Sequence, residues 1–209
     1  MFETTEVRWF YKSTTWPHVE AWFKKGLREA TVEPFRVDYY LSMPFEEELG
    51  IKVRDGRLEI KRRVQDDGTH SFSDRISGHI STWRKWSFPL GNSDQFLESA
   101  KEAWIKVGKD RLVRKFRVAE HNQIDEIDPR SPAVCGCIFE FARLNVMKDS
   151  FWCSIGLEAF GDYPGSKRNT VKSVLSKLLD ETGGPVLPVD ISMDYPSWLS
   201  FLHMSSSKP

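Results

Sequence analysis

The sequence has few of the features that mark secreted, membrane-spanning or disulfide-stabilised proteins. Its three cysteines, Cys135, Cys137 and Cys153, are an odd and small set, and Cys135-Gly136-Cys137 has neither redox Cys-x-x-Cys spacing nor a second ligand pair for zinc. We therefore expect reduced thiols in a core. No apolar run reaches the length of a membrane span. The first residues lack the basic and apolar regions of a secretory signal, so we expect a cytoplasmic protein.

An excess of charge of either sign is also absent, because 30 Lys and Arg residues balance 30 Asp and Glu residues. No global field attracts the chain to duplex nucleic acid or to an anionic membrane, and we expect neither partner. Any electrostatic function must come from how the charges are arranged. Hydrophobic residues make up 40% of the 209 residues, which predicts one packed domain over 1–203 and a flexible tail at 204–209.

The body of the sequence consists of segments in which apolar and polar residues alternate, as in strands with one face on a core. Eight strands are predicted, near residues 4–12, 35–41, 50–54, 57–64, 78–88, 111–119, 134–144 and 151–160. Three amphipathic helices are predicted between them, at about 16–28, from Ser93 through Phe96, Ala100 and Trp104, and at about 169–181.

The clearest local signal is Asp55-Gly56 between two alternating segments, which is typical of a type I′ hairpin turn. This turn pairs Lys52 with Glu59 and thereby fixes which residues share a face. One face of the hairpin is strongly cationic and carries Lys52, Arg54, Arg57, Glu59, Lys61 and Arg63. Taken alone, such a hairpin would simply expose this face to solvent.

Other strands repeat the pattern of one polar and one apolar face. The polar faces carry Glu6 and Arg8 on the first strand, Lys85 on the fifth, Arg111, Lys115 and Arg117 on the sixth, and Glu140 and Glu158 on the last two. If the apolar faces pointed inward, the helices would have only a charged exterior to pack on. We therefore predict an α+β fold, an eight-stranded antiparallel closed β-barrel with a charged lumen and amphipathic helices packed on the outside.

A cationic lumen is costly when it is empty, because two like charges at about 6 Å repel by roughly 2–3 kcal/mol at an effective dielectric near 20. We expect removal of one such cation, for example Lys61, to leave stability unchanged or to raise it slightly. An anionic ligand, often accompanied by a metal ion, would relieve the repulsion. The pattern therefore indicates binding of a polyanion.

The order of these motifs resembles the CYTH domains, or triphosphate tunnel metalloenzymes, which include thiamine triphosphatases, inorganic triphosphatases, class IV adenylyl cyclases and RNA triphosphatases. The matching segments are the strand with Glu6, Asp38-Tyr39-Tyr40, Ile51-Lys52-Val53-Arg54, Glu59-Ile60-Lys61, Lys115-Phe116-Arg117, Glu140, Leu157-Glu158-Ala159 and Asp194-Tyr195-Pro196-Ser197-Trp198-Leu199. The resemblance covers most of the chain and implies the same tunnel-like barrel.

The resemblance also implies an activity, namely hydrolysis of a phosphoanhydride with a divalent metal. Glu6, Glu140 and Glu158 would hold Mg²⁺ or Mn²⁺, and Glu6, Lys61 and Glu158 would form the catalytic group. The substrate would be a triphosphate-containing small molecule or inorganic polyphosphate. The residues expected to bind it are Arg8, Lys52, Arg54, Lys61, Arg63, Lys85, Lys115 and Arg117.

The sequence departs from the family at its most diagnostic position. The family carries Glu-x-Glu-x-Lys, whereas this chain has Glu6-x-Arg8-x-Phe10, and it has Gly156 where many members have another glutamate. Fewer carboxylates weaken the hold on a hard cation, so anion binding survives more easily than hydrolysis. Three hypotheses stay open: a metal-dependent triphosphatase, a non-catalytic sensor or carrier of a phosphorylated ligand, and a structural interaction barrel.

Overall fold

The computed structural model describes residues 1–26, 28–119, 123–146, 150–161, 167–182 and 184–206, without the side chains of 180–182 and 205–206. Nine strands lie in one sheet: β1 (Phe2–Tyr11), β2 (Thr31–Leu41), β3 (Leu49–Arg54), β4 (Arg57–Ser71), β5 (Ser77–Pro89), β6 (Trp104–Val118), β7 (Ile124–Ile127), β8 (Gly136–Val146) and β9 (Ser150–Phe160). The α-helices are α1 (Pro17–Lys24), α2 (Ser93–Ser99), α3 (Lys167–Thr182) and α4 (Tyr195–Ser206). No helix in the described ranges is long and apolar enough to cross a bilayer.

The sheet closes on itself through antiparallel pairs. Its strand order is β2-β3-β4-β5-β1-β9-β8-β6, and β2 pairs with β6 to complete a ring of eight strands. The short β7 pairs with the end of β6 and lies outside the ring. The predicted closed eight-stranded barrel is therefore confirmed, and β7 is a strand that the sequence pattern did not predict.

The β3–β4 hairpin has the predicted register, with Lys52 opposite Glu59 and Val53 opposite Leu58. Asp55 and Gly56 have φ values of 48° and 68°, the left-handed conformation that a type I′ turn requires at both positions. Because this register is fixed, Lys52 and Arg54 of β3 face the lumen together with Glu59 and Lys61 of β4.

α1 and α3 pack on the outside of the barrel, as predicted. Val7 and Trp9 on the outward face of β1 belong to one buried apolar cluster with Val171 and Leu175 of α3. Phe23 of α1 packs against the outward-facing rings of β8, which are Phe139 at 4.6 Å and Phe141 at 6.0 Å between centroids. The apolar faces thus point away from the lumen and are covered there by helices.

Two helix predictions need correction. The first helix ends at Lys24 rather than near residue 28, because Lys25 adopts extended backbone. The second ends at Ser99 and buries none of its residues, and Trp104 is the first residue of β6 instead of a member of the helix. The ring centroids of Phe96 and Trp104 still lie 5.7 Å apart, but this contact joins α2 to β6 and is not made within one helix.

The last helix, α4, was not predicted and closes one end of the barrel. β1 and β5 pair only through residues 2–6 and 81–85. Beyond that pairing, residues 187–192 lie between the two strands. Leu187 forms a β-bridge with Ile76, next to β5, and Ser192 forms one with Trp9 of β1. α4 then enters the lumen, where Trp198 stacks on the inward-facing Phe10 at 4.6 Å. Residues 204–206, expected in a flexible tail, continue this helix, and 207–209 lie outside the described residues.

An apolar cluster surrounds α4 at this end. Its members are Phe10, Tyr40, Ile105, Val107, Ala142, Leu144, Val146, Trp152, Tyr195, Trp198, Leu199 and Leu202. The lumen therefore has an apolar end that is filled and a polar remainder. The three cysteines are buried and unpaired outside this polar part, which confirms the expectation of free thiols in a core.

Candidate functional site

The polar part of the lumen contains a cavity of about 590 Å³ that reaches the surface beside the exposed Phe2 and Arg57. Nine basic and five acidic residues line it: Arg8, Arg36, Lys52, Arg54, Arg57, Lys61, Lys85, Lys109 and Arg111, with Glu6, Glu46, Glu59, Glu140 and Glu158. The lining has an excess of four positive charges, which becomes three when the buried Asp38 behind it is included. The cavity is thus a cationic site inside the barrel.

Most residues that the sequence singled out meet in this cavity. Those that line it are Glu6, Arg8, Lys52, Arg54, Lys61, Lys85, Glu140 and Glu158. They come from six strands, β1, β3, β4, β5, β8 and β9, and converge because each occupies an inward position of its strand.

Three predicted binding residues lie outside the cavity lining. Lys115 donates to the backbone carbonyls of Pro129 and Ser131 at 3.4 and 2.6 Å. Arg117 is half exposed and pairs with Asp125 of β7 at 3.1 Å. Alternation correctly places Lys115 on the face of β6 that carries Arg111, but it gives no information on how far along the barrel a residue lies.

Arg63 is the third of these residues. Its guanidinium lies between Glu48 at 3.4 Å and Asp194 at 3.6 Å, and 5.9 Å from the ring centroid of Trp83. Asp194 immediately precedes α4, so Arg63 connects strand β4 to the helix that closes the barrel. This contact suits a structural role better than a ligand contact.

Arg8 occupies the centre of the carboxylate group that the resemblance assigns to a metal. Its Nη1 donates to Glu140 Oε1 at 2.9 Å and to Ser154 Oγ at 3.3 Å. Burial alone would lower the pKa of Arg8, but Glu140 foremost, with Glu6 and Glu158, raises it above its ordinary value. All three carboxylates therefore act on one guanidinium.

The other two carboxylates have lysine partners as well. Glu6 accepts from Lys61 Nζ at 2.8 Å, and Glu158 accepts from Lys85 Nζ at 2.6 Å. Burial would raise the pKa of Glu6, but Lys61, Lys85 and Arg8 more than offset it and hold the pKa at about 2. Both carboxylates are paired with cations, so the lumen is not a shell of like charges.

A second cluster surrounds Asp38 on β2, which is fully buried. Lys109 Nζ, Lys52 Nζ and Arg36 Nε lie 3.1, 3.2 and 3.3 Å from its carboxylate oxygens. Burial outweighs the attraction of Asp38 and lowers the pKa of both Lys52 and Lys109 to about 8. The sequence did not indicate Lys109, although it alternates with Arg111, because the predicted strand began only at residue 111.

Four buried donors on residues that line the cavity have no hydrogen-bond partner among the described residues, namely Nε of Arg8, Arg36 and Arg111 and Oη of Tyr195. Arg111 Nη1 donates to Glu140 Oε2 at 3.0 Å, so both guanidiniums hold the same carboxylate. The Tyr195 ring centroid lies 5.1 Å from Arg8 Cζ and 3.9 Å from Lys109 Nζ. Burial raises the pKa of Tyr195, so its hydroxyl stays a neutral donor.

The donor set does not fit the divalent metal that the resemblance implies. Within the described ranges no three His, Cys, Asp or Glu side chains lie close enough together to hold a metal ion. Glu6, Glu140 and Glu158 surround a guanidinium that cannot lose its proton near neutral pH. A hard cation would have to displace Arg8 from its ion pair with Glu140 to reach these oxygens.

Comparisons with known proteins show neither a family nor a function. No protein-family model and no curated protein matches the sequence. Among solved structures, a chain of the Schizosaccharomyces pombe Mediator head module is similar to this one with a TM-score of 0.42 and 8% identity, over 85% of this chain and 93% of that chain. A likeness at this level carries no functional argument, so function has to be inferred from the cavity itself.

Proposed function

We propose that the lumen binds a phosphorylated polyanion, such as a triphosphate group, and acts as a sensor or carrier rather than as a hydrolase. The observation that carries the proposal is the excess of positive charge among the residues that line one cavity inside the barrel. A ligand with three or four negative charges would neutralise this excess. Inorganic tripolyphosphate and the triphosphate group of a small molecule have this charge.

Burial of these cations argues against a purely structural barrel. The Arg8 and Lys109 side chains are only 6% and 2% exposed, whereas the charged face of a structural barrel would lie in water. Taking a cation out of water costs several kcal/mol unless it is paired. The carboxylates of the lumen pair most of the cations but leave an excess, and an anionic ligand would offset the remainder.

Binding is favoured over hydrolysis because Arg8 lies among the carboxylates. A triphosphatase of the kind that the sequence resembles needs these oxygens for a metal that orients the attacking water. Here they accept hydrogen bonds from Arg8, Lys61 and Lys85. Carboxylates engaged in this way suit neutralisation of phosphate oxygens by the surrounding cations better than activation of water.

The test is calorimetric titration and thermal unfolding with tripolyphosphate, pyrophosphate, ATP and thiamine triphosphate, with sulfate at equal ionic strength as the reference. Tripolyphosphate should raise the melting temperature by mass action, and Lys85→Gln should reduce the shift. Arg117→Gln is the matched control, because it removes a cation outside the cavity and should leave the shift unchanged.

Two results would contradict the proposal. Stabilisation no greater than that by sulfate would exclude a polyphosphate site. Release of phosphate at turnover rates on the order of 10 per second in Mg²⁺ or Mn²⁺ would show a hydrolase instead of a sensor or carrier.

A further inference from the structure

The deep end of the cavity, where the polar lumen meets α4, carries three of the unpartnered donors described above. Arg8 and Arg111 grip the two oxygens of Glu140 with their Nη1 atoms, at 2.9 and 3.0 Å, and this leaves both Nε–H groups unused. Buried donors without partners are uncommon in folded proteins, because each loses its hydrogen bonds to water. All three belong to residues that line one cavity, so a ligand bound against these side chains would supply the acceptors that the described residues do not.

Tyr195 adds a donor of a different kind to this end. It is the first residue of α4, it is 8% exposed, and it lines the cavity with its hydroxyl lacking a hydrogen-bond partner. Arg8 and Lys109 lie against its ring. A neutral hydroxyl beside cations can donate to a phosphate oxygen without adding to the positive charge.

We infer that Arg8, Arg111 and Tyr195 form a metal-independent anchor for one terminal oxyanion group of the ligand. The inference rests on the proposed polyanion site and specifies how that site recognises an end of the chain. α4 fills the lumen beyond Tyr195, so a polyphosphate cannot thread through the barrel. The ligand class is therefore an anion with a free terminal phosphate, and a phosphate esterified on both sides is excluded from the anchor.

The guanidinium of Arg8 replaces a metal ion in this arrangement. It lies among Glu6, Glu140 and Glu158, carries a permanent positive charge, and can use its free Nε–H toward the ligand. Binding should therefore not require Mg²⁺ or Mn²⁺. Metal that chelates the ligand in solution should weaken binding, because it neutralises the oxyanions that the guanidiniums recognise.

The experiment is calorimetric titration of tripolyphosphate in EDTA and in Mg²⁺, on the wild type, Tyr195→Phe and Arg111→Lys, with unfolding in urea without ligand. We expect EDTA to preserve wild-type affinity and Tyr195→Phe to lower it about tenfold, the usual effect of losing one hydrogen bond to a charged group. Arg111→Lys keeps the charge but removes Nε–H, and it should also weaken binding. Tyr39→Phe, on the outward face of β2, is the matched control and should bind like the wild type.

Stability without ligand distinguishes an anchor from a structural tyrosine. Because the Tyr195 hydroxyl has no hydrogen-bond partner within the described part of the chain, Tyr195→Phe should leave the free energy of unfolding unchanged or raise it. Wild-type binding that is lost in EDTA, or that is equal in Tyr195→Phe, would overturn the anchor and leave the polyanion site intact. Absence of wild-type binding in both media would overturn the polyanion site and the anchor together.

Discussion

Lys61 and Glu6 lie on strands that are not neighbours, since β5 separates β4 from β1, yet their side chains meet inside the barrel at 2.8 Å. Lys61 Nζ also lies 4.0 Å from the ring centroid of Trp83, which is fully buried on the inward face of β5. The lysine therefore joins three strands through one ion pair and one cation–π contact. Its charge therefore contributes to the stability of the barrel itself.

Lys61→Ala should destabilise the protein. The substitution leaves Glu6, which is 5% exposed, without its hydrogen-bonded cation, and breaking a buried pair from one side usually costs about 3 kcal/mol or more. Urea unfolding measures this loss. Lys24→Ala is the control, because its ion pair with Glu20 is on the surface and should contribute less than about 1 kcal/mol.

A double-mutant cycle with Glu6→Gln isolates the Lys61–Glu6 interaction. We expect a coupling energy of at least about 1 kcal/mol, as for other residues in direct contact. Additive effects of the two substitutions would show that the pair does not contribute to stability.

The acid side of the stability profile should depend on Glu6 and Glu140. Burial would raise the pKa of Glu140, but Arg8 and Arg111 lower it to about 2, and Glu6 also has a pKa of about 2 instead of the ordinary 4.5. Each glutamate therefore stabilises the fold above pH 4.5, and the contribution is lost as the pH falls from 4.5 to 2. Glu140→Gln should flatten the profile in this window when unfolding is measured at a series of pH values.

Surface acids provide the comparison for this pH profile. Glu3 pairs with Arg84 at 2.6 Å, but both side chains are more than a third exposed. Glu3→Gln should leave the slope of stability against pH close to that of the wild type. An unchanged slope in Glu140→Gln would contradict the assignment of the acid transition to the lumen.

Above pH 8, the stability of the fold and its affinity for tripolyphosphate should change in opposite directions. Lys52 and Lys109 have pKa values of about 8 in the fold, below the ordinary 10.5, because burial disfavours their charge. Below pH 8 both buried amines are charged, and their burial destabilises the fold. As the pH rises from 8 to 10.5 the amines lose their protons in the folded state first, so the free energy of unfolding increases. Tripolyphosphate affinity should fall over the same range, because the neutral amines no longer attract it.

Lys52→Arg tests the alkaline prediction, since arginine stays charged throughout this range. The loss of affinity between pH 8 and 10 should be smaller in the variant than in the wild type, as measured by calorimetry. Identical pH dependence in the two proteins would exclude Lys52 from the binding step.

The barrel could be predicted from the sequence because its signal is local. Alternation fixes the face of each residue, and Asp55-Gly56 fixes the register of one hairpin. Face parity brought Glu6, Arg8 and Lys61 into the lumen correctly. It could not show that Lys61 binds Glu6, because that pairing depends on which strands lie across the lumen, and the contact reverses the expectation that loss of Lys61 is neutral.

The features that were missed depend on tertiary structure. In the sequence, Tyr195 and Trp198 belong to a short C-terminal segment for which no helix was predicted. This segment can enter the barrel because β1 and β5 are no longer paired beyond Glu6. Trp83 has the inward parity of Lys85, yet an aromatic residue in a charged lumen has no signal in the sequence pattern. Lys115 shows a different error. Alternation predicted the face of β6 on which it lies, but not its position along the barrel axis, which is outside the cavity.

Trp198→Ala should open the closed end of the barrel. Trp198 is fully buried and lies 4.6 Å from Phe10 and 5.8 Å from Trp152 between ring centroids. Removing a buried tryptophan usually costs about 3–5 kcal/mol, because a cavity is left behind. Urea unfolding and binding of a hydrophobic dye would report the loss. Phe201→Ala, on the exposed side of α4 at 41% exposure, should cost much less.

Arg8→Glu should convert the centre of the lumen into a metal site. The substitution places a carboxylate beside Glu6, Glu140 and Glu158 in place of the guanidinium that now pairs with them. Carboxylates this close repel one another and disfavour full ionisation, so the variant should be less stable than the wild type at pH 7. The added carboxylate gives the group an excess of oxygen ligands over Lys61, Lys85 and Arg111, the cations that remain. Oxygen ligands of this kind suit Mg²⁺ or Mn²⁺, and binding to the folded state alone would restore stability by mass action.

Thermal unfolding in EDTA, Mg²⁺ and Mn²⁺ measures this effect, with Arg8→Gln as the matched control. Arg8→Gln removes the same charge without adding a ligand, so its melting temperature should respond to the metals no more than that of the wild type. We expect Mn²⁺ at about 100 times its dissociation constant to stabilise Arg8→Glu by about 2.7 kcal/mol and to leave the other two proteins unchanged. A metal response in the wild type would show that cations reach these carboxylates despite Arg8, and equal behaviour of Arg8→Glu and Arg8→Gln would show that Arg8 does not occupy a cation position at all.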